Sequence, residues 1–185
     1  MSKTRMMYSA GVPLVGGLDP LPFPQADRNT QAVFFVDPTN GSDGNPGDDK
    51  EIPLLTFAKA LTLAPSRGGA LIYGYPSADA AENLTVTKPN ISLINAGRRG
   101  NRVTVKPTTG IALSVNAGGD GFYAHGFQFH GASKGAIQSA DYYRYVDCDF
   151  IGDTSYGLHL LAISETNTAS EGSIIRCLMR ESDRG

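Results

Sequence analysis

The chain has 185 residues, a formal net charge of −2 and 18% charged residues, with 22 glycines, 11 prolines and no tryptophan. That length suits one domain with at most an appended arm. The charge balance speaks against a nucleic-acid or anionic-membrane surface, no apolar run is long enough to span a bilayer, and the glycine and proline content suits an all-β protein with many tight turns.

Residues 1–31 are predicted to form an extended arm. Lys3 and Arg5 are followed by no apolar core of signal-peptide length, so no secretory signal is expected. Pro13, Pro20, Pro22 and Pro24 interrupt the apolar residues. Proline removes a backbone donor and fixes φ, which leaves no place for a helix or a central strand. The arm is nevertheless too apolar for a solvated linker. Val12, Leu14, Val15, Leu18, Leu21 and Phe23 need a surface to lie on, either the chain's own domain or another protein, unless the arm is disordered. The functional reading is an anchor that docks onto a partner through these six residues.

Residues 32–69 form a second region. Ala32-Val33-Phe34-Phe35-Val36 is a strand by composition and length. It runs into a dense cluster of turn residues from Asp37 to Asp49, where Asn-Gly, Asp-Gly and Pro-Gly supply the dihedrals of successive tight turns. The carboxylates of this loop do not keep the EF-hand register, so no calcium is assigned to it. Residues 53–65 are predicted to be helical, with Pro53 in the first turn and Pro65, Gly68 and Gly69 at the end. Phe57, Leu61 and Ala64 share its apolar face. Such a helix, placed before stacked strands, would cover an open core and an unpaired edge.

Residues 70–185 read as short strands separated by turns. Segments 70–76, 83–87, 91–95 and 102–106 come first. Then one pattern occurs three times: Gly110-Ile111-Ala112-Leu113-Ser114-Val115, Gly135-Ala136-Ile137-Gln138-Ser139-Ala140 and Gly157-Leu158-His159-Leu160-Leu161-Ala162. Each copy is followed by a second strand, at 121–129, 142–150 and 173–179. A period of roughly 20 to 30 residues signals a solenoid, and strands without intervening helices make it a β-solenoid. Phe127, Phe129, Cys148, Phe150, Cys177 and Met179 are placed inward. Cys148 and Cys177 fall at equivalent positions and read as stacked apolar thiols rather than a disulfide; their spacing fits no zinc site. The chain finishes directly after a strand, so a charged tail or a partner chain is expected to shield that end, unless this is a shortened form of a longer protein.

The opening motifs carry a family likeness. Phe34-Phe35-Val36-Asp37-Pro38, then Gly41-Ser42-Asp43-Gly44-Asn45-Pro46-Gly47, then Pro53, Thr56, Phe57, Ala60 and Leu61 resemble the start of right-handed parallel β-helix proteins of the pectate-lyase-like superfamily. Ala10-Gly11-Val12-Pro13-Leu14 and residues 91–105, with their Gly-Arg-Arg-Gly-Asn-Arg turn, are similar to β-helix proteins among the structural proteins of tailed bacteriophages. The resemblance implies an all-β fold: a right-handed single-stranded parallel β-helix with one short N-terminal capping helix and an extended N-terminal arm. It implies a virion component, such as a head decoration, fibre or tailspike-like protein, made in the host cytoplasm. Its expected partners are major capsid or tail proteins, further copies of itself (a trimer by analogy) and a host surface glycan, with no nucleic acid and no membrane insertion.

Enzymes of that superfamily use calcium-bound carboxylates with a basic residue, or clustered Asp residues as acid and base. The outward candidates here are Asp120, Asp141, Asp153 and Arg180, and above all Arg144, Asp147, Asp149 and Arg176. Asp147 and Asp149 flank Cys148 and are placed on one outward face. Arg176 holds the Asp147 position one repeat later. These four are the candidates for an exposed Asp-Arg ladder, which reads first as solvated ion pairs. No second carboxylate cluster falls in register, and His125, His130 and His159 are scattered. No catalytic residue, cofactor or metal is therefore assigned. The expected function is a non-enzymatic structural one. A carbohydrate-active enzyme or depolymerase is the alternative, as is a glycan-binding module using Tyr123, Tyr142 or Tyr143. Arg98, Arg99, Arg102 and Lys106 read first as a small solvated basic turn, with a contact to a virion neighbour as the alternative.

Overall fold

The structure is a computed structural model and describes residues 8–9, 12–13, 31–98, 100–154, 158–160 and 172–181. Among these the regular structure is strand, apart from one seven-residue helix, α1 (Phe57–Leu63). Fourteen of the sixteen strands form three parallel sheets. The first sheet holds β3 (Ala32–Val36), β4 (Ala70–Gly74), β6 (Ile91–Asn95), β9 (Tyr123–His125), β12 (Tyr143–Val146) and β15 (Gly172–Ile175). The second holds β7 (Val103–Val105), β10 (Phe127–Gly131), β13 (Asp149–Gly152) and β16 (Leu178–Glu181). The third holds β5 (Leu84–Val86), β8 (Ile111–Val115), β11 (Lys134–Gln138) and β14 (Leu158–Leu160).

From β6 onward the chain visits first, second and third sheet in rotation, and each strand pairs with the strand one circuit away. Arg144 lies between Tyr123 and Ser173, Phe129 between Val105 and Phe150, and Leu113 between Leu84 and Ala136. Equivalent side chains therefore stack at the inter-strand spacing of about 4.8 Å. Inward positions build a single core in which Phe127, Phe129, Phe150 and Tyr145 are fully buried. Phe127, Phe129 and Phe150 stack at centroid distances of 5.6 and 5.7 Å, and Tyr145 meets Phe150 edge-on at 5.0 Å. The Tyr145 hydroxyl donates to Gln138 Oε1 at 2.7 Å, so this buried phenol is satisfied. Each such side chain contributes roughly 1.5–3 kcal/mol by its burial.

Cys148 is buried and Cys177 half-buried; both are free thiols, and burial pushes the Cys148 thiol well above its ordinary pKa. Met179 departs from its inward assignment. It stands in register over Phe150 but is 47% exposed, because β16 has no neighbour on its outer side among the described residues.

Helix α1 is shorter than the predicted 53–65. Thr56 is extended (φ −120°, ψ 145°) and its side chain accepts from Lys59 N, which sets the start of the helix. Leu54 instead bridges Val36, and its N–H donates to the Phe35 carbonyl at 2.8 Å. The turn-rich loop closes over this segment: a Cβ on Gly41 would lie 2.1 Å from the Leu54 carbonyl oxygen, so only glycine fits. Charged side chains from outside the helix hold both its ends. Glu82 accepts from Phe57 N and Ala58 N, each at 2.8 Å, and Lys88 Nζ donates to the carbonyls of Leu61, Thr62 and Ala64. The buried face, Phe57, Ala60, Leu61 and Ala64, packs on β3, β4 and β5, and Phe57 meets Phe127 edge-on at 5.6 Å.

Two predicted alignments change. The 110–115 copy pairs with 134–138 two residues away from the expected match, Leu113 facing Ala136 rather than Gln138. An even slip leaves each side chain on its expected face, so the core pattern survives it. The second strand of each copy is two strands in different sheets, split at Gly126, Asp147 and Arg176. Of the arm, the structure describes only β1 (Tyr8–Ser9) and β2 (Val12–Pro13), an antiparallel pair. Val12 belongs to β2; Leu14, Val15, Leu18, Leu21 and Phe23 lie outside the described residues.

Candidate functional site

The corner between the first and second sheets carries the charged residues. The register places Asn95, Gly126, Asp147 and Arg176 one above another at this corner. The last three have positive φ, at 74°, 52° and 51°. Glycine adopts that conformation freely and aspartate tolerates it, but for arginine it is uncommon. The left-handed residue turns the chain from one sheet into the next. It also breaks the side-chain alternation, so residues on either side of it do not share a face.

Asp147 and Arg176 form the centre. Arg176 donates through Nε to Asp147 Oδ1 at 2.7 Å and through Nη2 to Oδ2 at 2.8 Å. His125 Nε2 lies 3.5 Å from the same Oδ2. The hydrogen bonds from Arg176, aided by the positive charge of Arg176 and by His125, hold the Asp147 carboxyl down at about 2.

Asp149 does not share this exposed face, contrary to the expectation that it and Asp147 stand side by side. It is 3% exposed and lies in β13, beyond the corner. Arg102 Nη1 donates to its Oδ2, and Arg180 Nη2 lies 3.7 Å from the same oxygen. Arg102 also donates through Nε to the Asp147 backbone carbonyl at 3.2 Å. Arg144 does not join the ladder either. It is half-buried in β12, and its Nε is buried without a hydrogen-bond partner. The exposed ladder is thus the single pair Asp147–Arg176, and Asp149 pairs instead with Arg102, which sequence reasoning left in a solvated turn.

The loop from Ala96 to Arg102 is the other wall. Later circuits cross this corner in one or two residues, whereas seven separate β6 from β7. Asn95 ties the loop back, donating through Nδ2 to the Asn101 carbonyl at 2.5 Å and the Gly126 carbonyl at 3.2 Å, and accepting from Gly97 N at 2.7 Å. Between loop and corner lies a cleft of about 530 Å³, lined by Asn95, Arg98, Arg102, His125, Asp147 and Arg176 among others. Among the described residues no Phe, Tyr or Trp side chain lines it.

The remaining candidates are dispersed. Asp120 accepts from Asp141 N at 2.9 Å, and His130 Nε2 lies 2.7 Å from Asp153 Oδ1 on a different corner. Tyr142 is 46% exposed, while Tyr143 packs against Tyr145 and Tyr123 is half-buried; the three make no shared platform. The side chain of His159 lies outside the described residues. Among the described residues, no group of three His, Cys, Asp or Glu could hold a metal ion, and no helix is long and apolar enough to cross a membrane. A carboxylate ionised down to pH of about 2 is poorly matched to proton transfer near neutrality, and a buried, arginine-paired one is sealed from substrate.

Comparison with known proteins found no matching family model, no matching curated protein and no matching solved structure.

Proposed function

We propose that the chain is a non-enzymatic structural module: a right-handed parallel β-helix, capped by α1, that belongs to a tailed-phage virion and docks there through its N-terminal arm. The single observation that supports this best is the rotation of the chain through three parallel sheets with in-register stacking of equivalent residues. Right-handedness is the expectation for parallel crossover connections, nearly all of which take that hand. The state of the carboxylates supports a non-enzymatic role, since Asp147 is clamped by Arg176 and Asp149 is buried under Arg102. The virion assignment rests on the resemblance of the opening motifs and on the apolar arm.

The test is particle composition. Mass spectrometry of purified phage particles encoding the chain should find it at a stoichiometry comparable with other structural proteins, and its absence would refute the virion assignment. Release of reducing ends or unsaturated uronates from a polysaccharide panel by the purified full chain would refute the non-enzymatic part.

A further inference from the structure

The corner cleft carries more positive charge than its own carboxylates balance. Arg98, Arg102 and Arg176 line it together with His125, against the single lining carboxylate of Asp147. Just behind the wall, Asp149 and Arg180 add one charge of each sign. Among the described residues no carboxylate lies within ion-pair distance of Arg98, and Arg176 is 66% exposed even while it holds Asp147. The excess sits at a wall whose loop is tied to Asn95 by two hydrogen bonds, at Gly97 and Asn101, while Asn95 is itself anchored to the Gly126 carbonyl. Concave sites of one sign concentrate ligands of the other.

The class of ligand follows from what the cleft already holds. Its one internal anion is an aspartate carboxylate, gripped by the two parallel N–H donors of Arg176 and approached by His125. Guanidinium groups match carboxylates in this two-point fashion. Among the described residues no Phe, Tyr or Trp side chain offers the usual apolar floor for a sugar ring. The backbone also points to a binding role: Asp147 and Arg176 occupy left-handed conformations where the preceding circuit has Gly126, and strain of that kind collects at ligand sites.

We infer that this cleft is a docking site for an acidic segment of a partner protein, whose Asp or Glu carboxylates bind Arg98, Arg102 and Arg176. It is a second contact surface, distinct from the N-terminal arm, and it does not depend on the partner being a virion protein. Asp147 acts as the internal competitor. It neutralises Arg176 in the free protein and sets the affinity of the site.

The experiment uses the purified full chain and fluorescein-labelled hexaglutamate, followed by fluorescence anisotropy at low salt. Binding is expected, weakening steeply as salt is raised. Arg98→Ala and Arg176→Ala should each weaken it about tenfold, since each removes a charge-assisted contact. Asp147→Asn should tighten it several-fold, because asparagine keeps the left-handed backbone while releasing Arg176. Arg98 and Arg176 are exposed, and circular dichroism of each variant checks that it is folded. Binding unchanged in Arg98→Ala, or weakened in Asp147→Asn, overturns the assignment. Tighter binding of a hexuronate oligosaccharide or of inorganic phosphate than of hexaglutamate overturns the peptide as ligand. The assay contains no particle, so its failure would leave the virion proposal standing.

Discussion

Arg102 and Asp149 should not be equal partners, and that asymmetry can be measured. Asp149 has a side chain only 5% exposed, while that of Arg102 is 36% exposed. Removing Arg102 strands a carboxylate inside the protein, with only Arg180 at 3.7 Å left to answer it. Breaking a buried pair from that side costs about 3–5 kcal/mol. The residual help from Arg180 puts the expected loss for Arg102→Ala near the lower end, about 3 kcal/mol, or roughly 6–12 °C in Tm for a domain of this size. Removing Asp149 instead leaves an arginine whose head can turn toward water, and it deletes a buried oxygen, Oδ1, that has no hydrogen-bond partner. Asp149→Ala should therefore cost about 1 kcal/mol. Replacing both with apolar residues, Arg102→Met with Asp149→Leu, should recover most of the Arg102→Ala loss, because the desolvated charge is gone. Urea denaturation of the four proteins gives the comparison, with equal m-values as the check that unfolding remains two-state. If Asp149→Ala proves as costly as Arg102→Ala, the reasoning from burial is wrong.

Two further outcomes follow from the helix ends and the corner. Lys88→Met keeps the apolar stem but removes the ammonium that serves three carbonyls at the end of α1; urea denaturation should show a loss of about 1–2 kcal/mol, and a loss below about 0.5 would refute the capping role. The second concerns acid. The folded pKa of Asp147, about 2, lies below its ordinary value of 3.8, so its contribution to stability is present above pH 3.8 and is lost as pH falls through about 2. Asp147→Asn should lack that loss, so the Tm difference between parent and variant should shrink between pH 4 and pH 2, by a modest amount because the pair is exposed and salt-screened. Glu82 acts in the opposite sense, its pKa raised by burial, and cancels from the comparison because both proteins retain it. A difference constant across that window would show that the Arg176 contact does not hold the Asp147 proton off.

The sequence was informative wherever a rule acts over a few residues. Ala32–Val36 came out with its observed bounds because four β-formers, Val33 to Val36, run directly into turn residues. The period of the second strands placed Phe127, Phe129, Cys148 and Phe150 in the core, and matched Asp147 to Arg176 one circuit apart. Legibility failed at the corners. A single left-handed residue, such as Asp147, changes the sheet without any glycine or proline to mark it, so alternation was carried straight through Cys148 to Asp149. The same blindness hid Arg102, whose importance comes from Asp147 and Asp149, more than forty positions later in the chain. The length of the 96–102 loop was the one available signal, and it takes effect only when corners, rather than strands, are aligned.

The corner explains why the same chain reads as scaffold along its strands and as a site at one edge. Stacking in register fixes each inward position by its neighbours above and below, so Phe129 is committed to packing between Val105 and Phe150. A corner residue is released from that constraint, because it lies outside the paired stretches of both sheets. Where the corner is Gly126 it only turns the chain. Where it is Asp147 or Arg176, the fold accepts a left-handed non-glycine residue and gains a charge at a fixed height. Two successive circuits then present opposite charges from backbone positions about 4.8 Å apart, and the 96–102 loop brings further arginines against them. Changing the affinity of such a site requires changing only corner and loop residues, with the core untouched. Arg98, exposed on that loop, is the residue through which the affinity of the cleft can change most freely without cost to the fold.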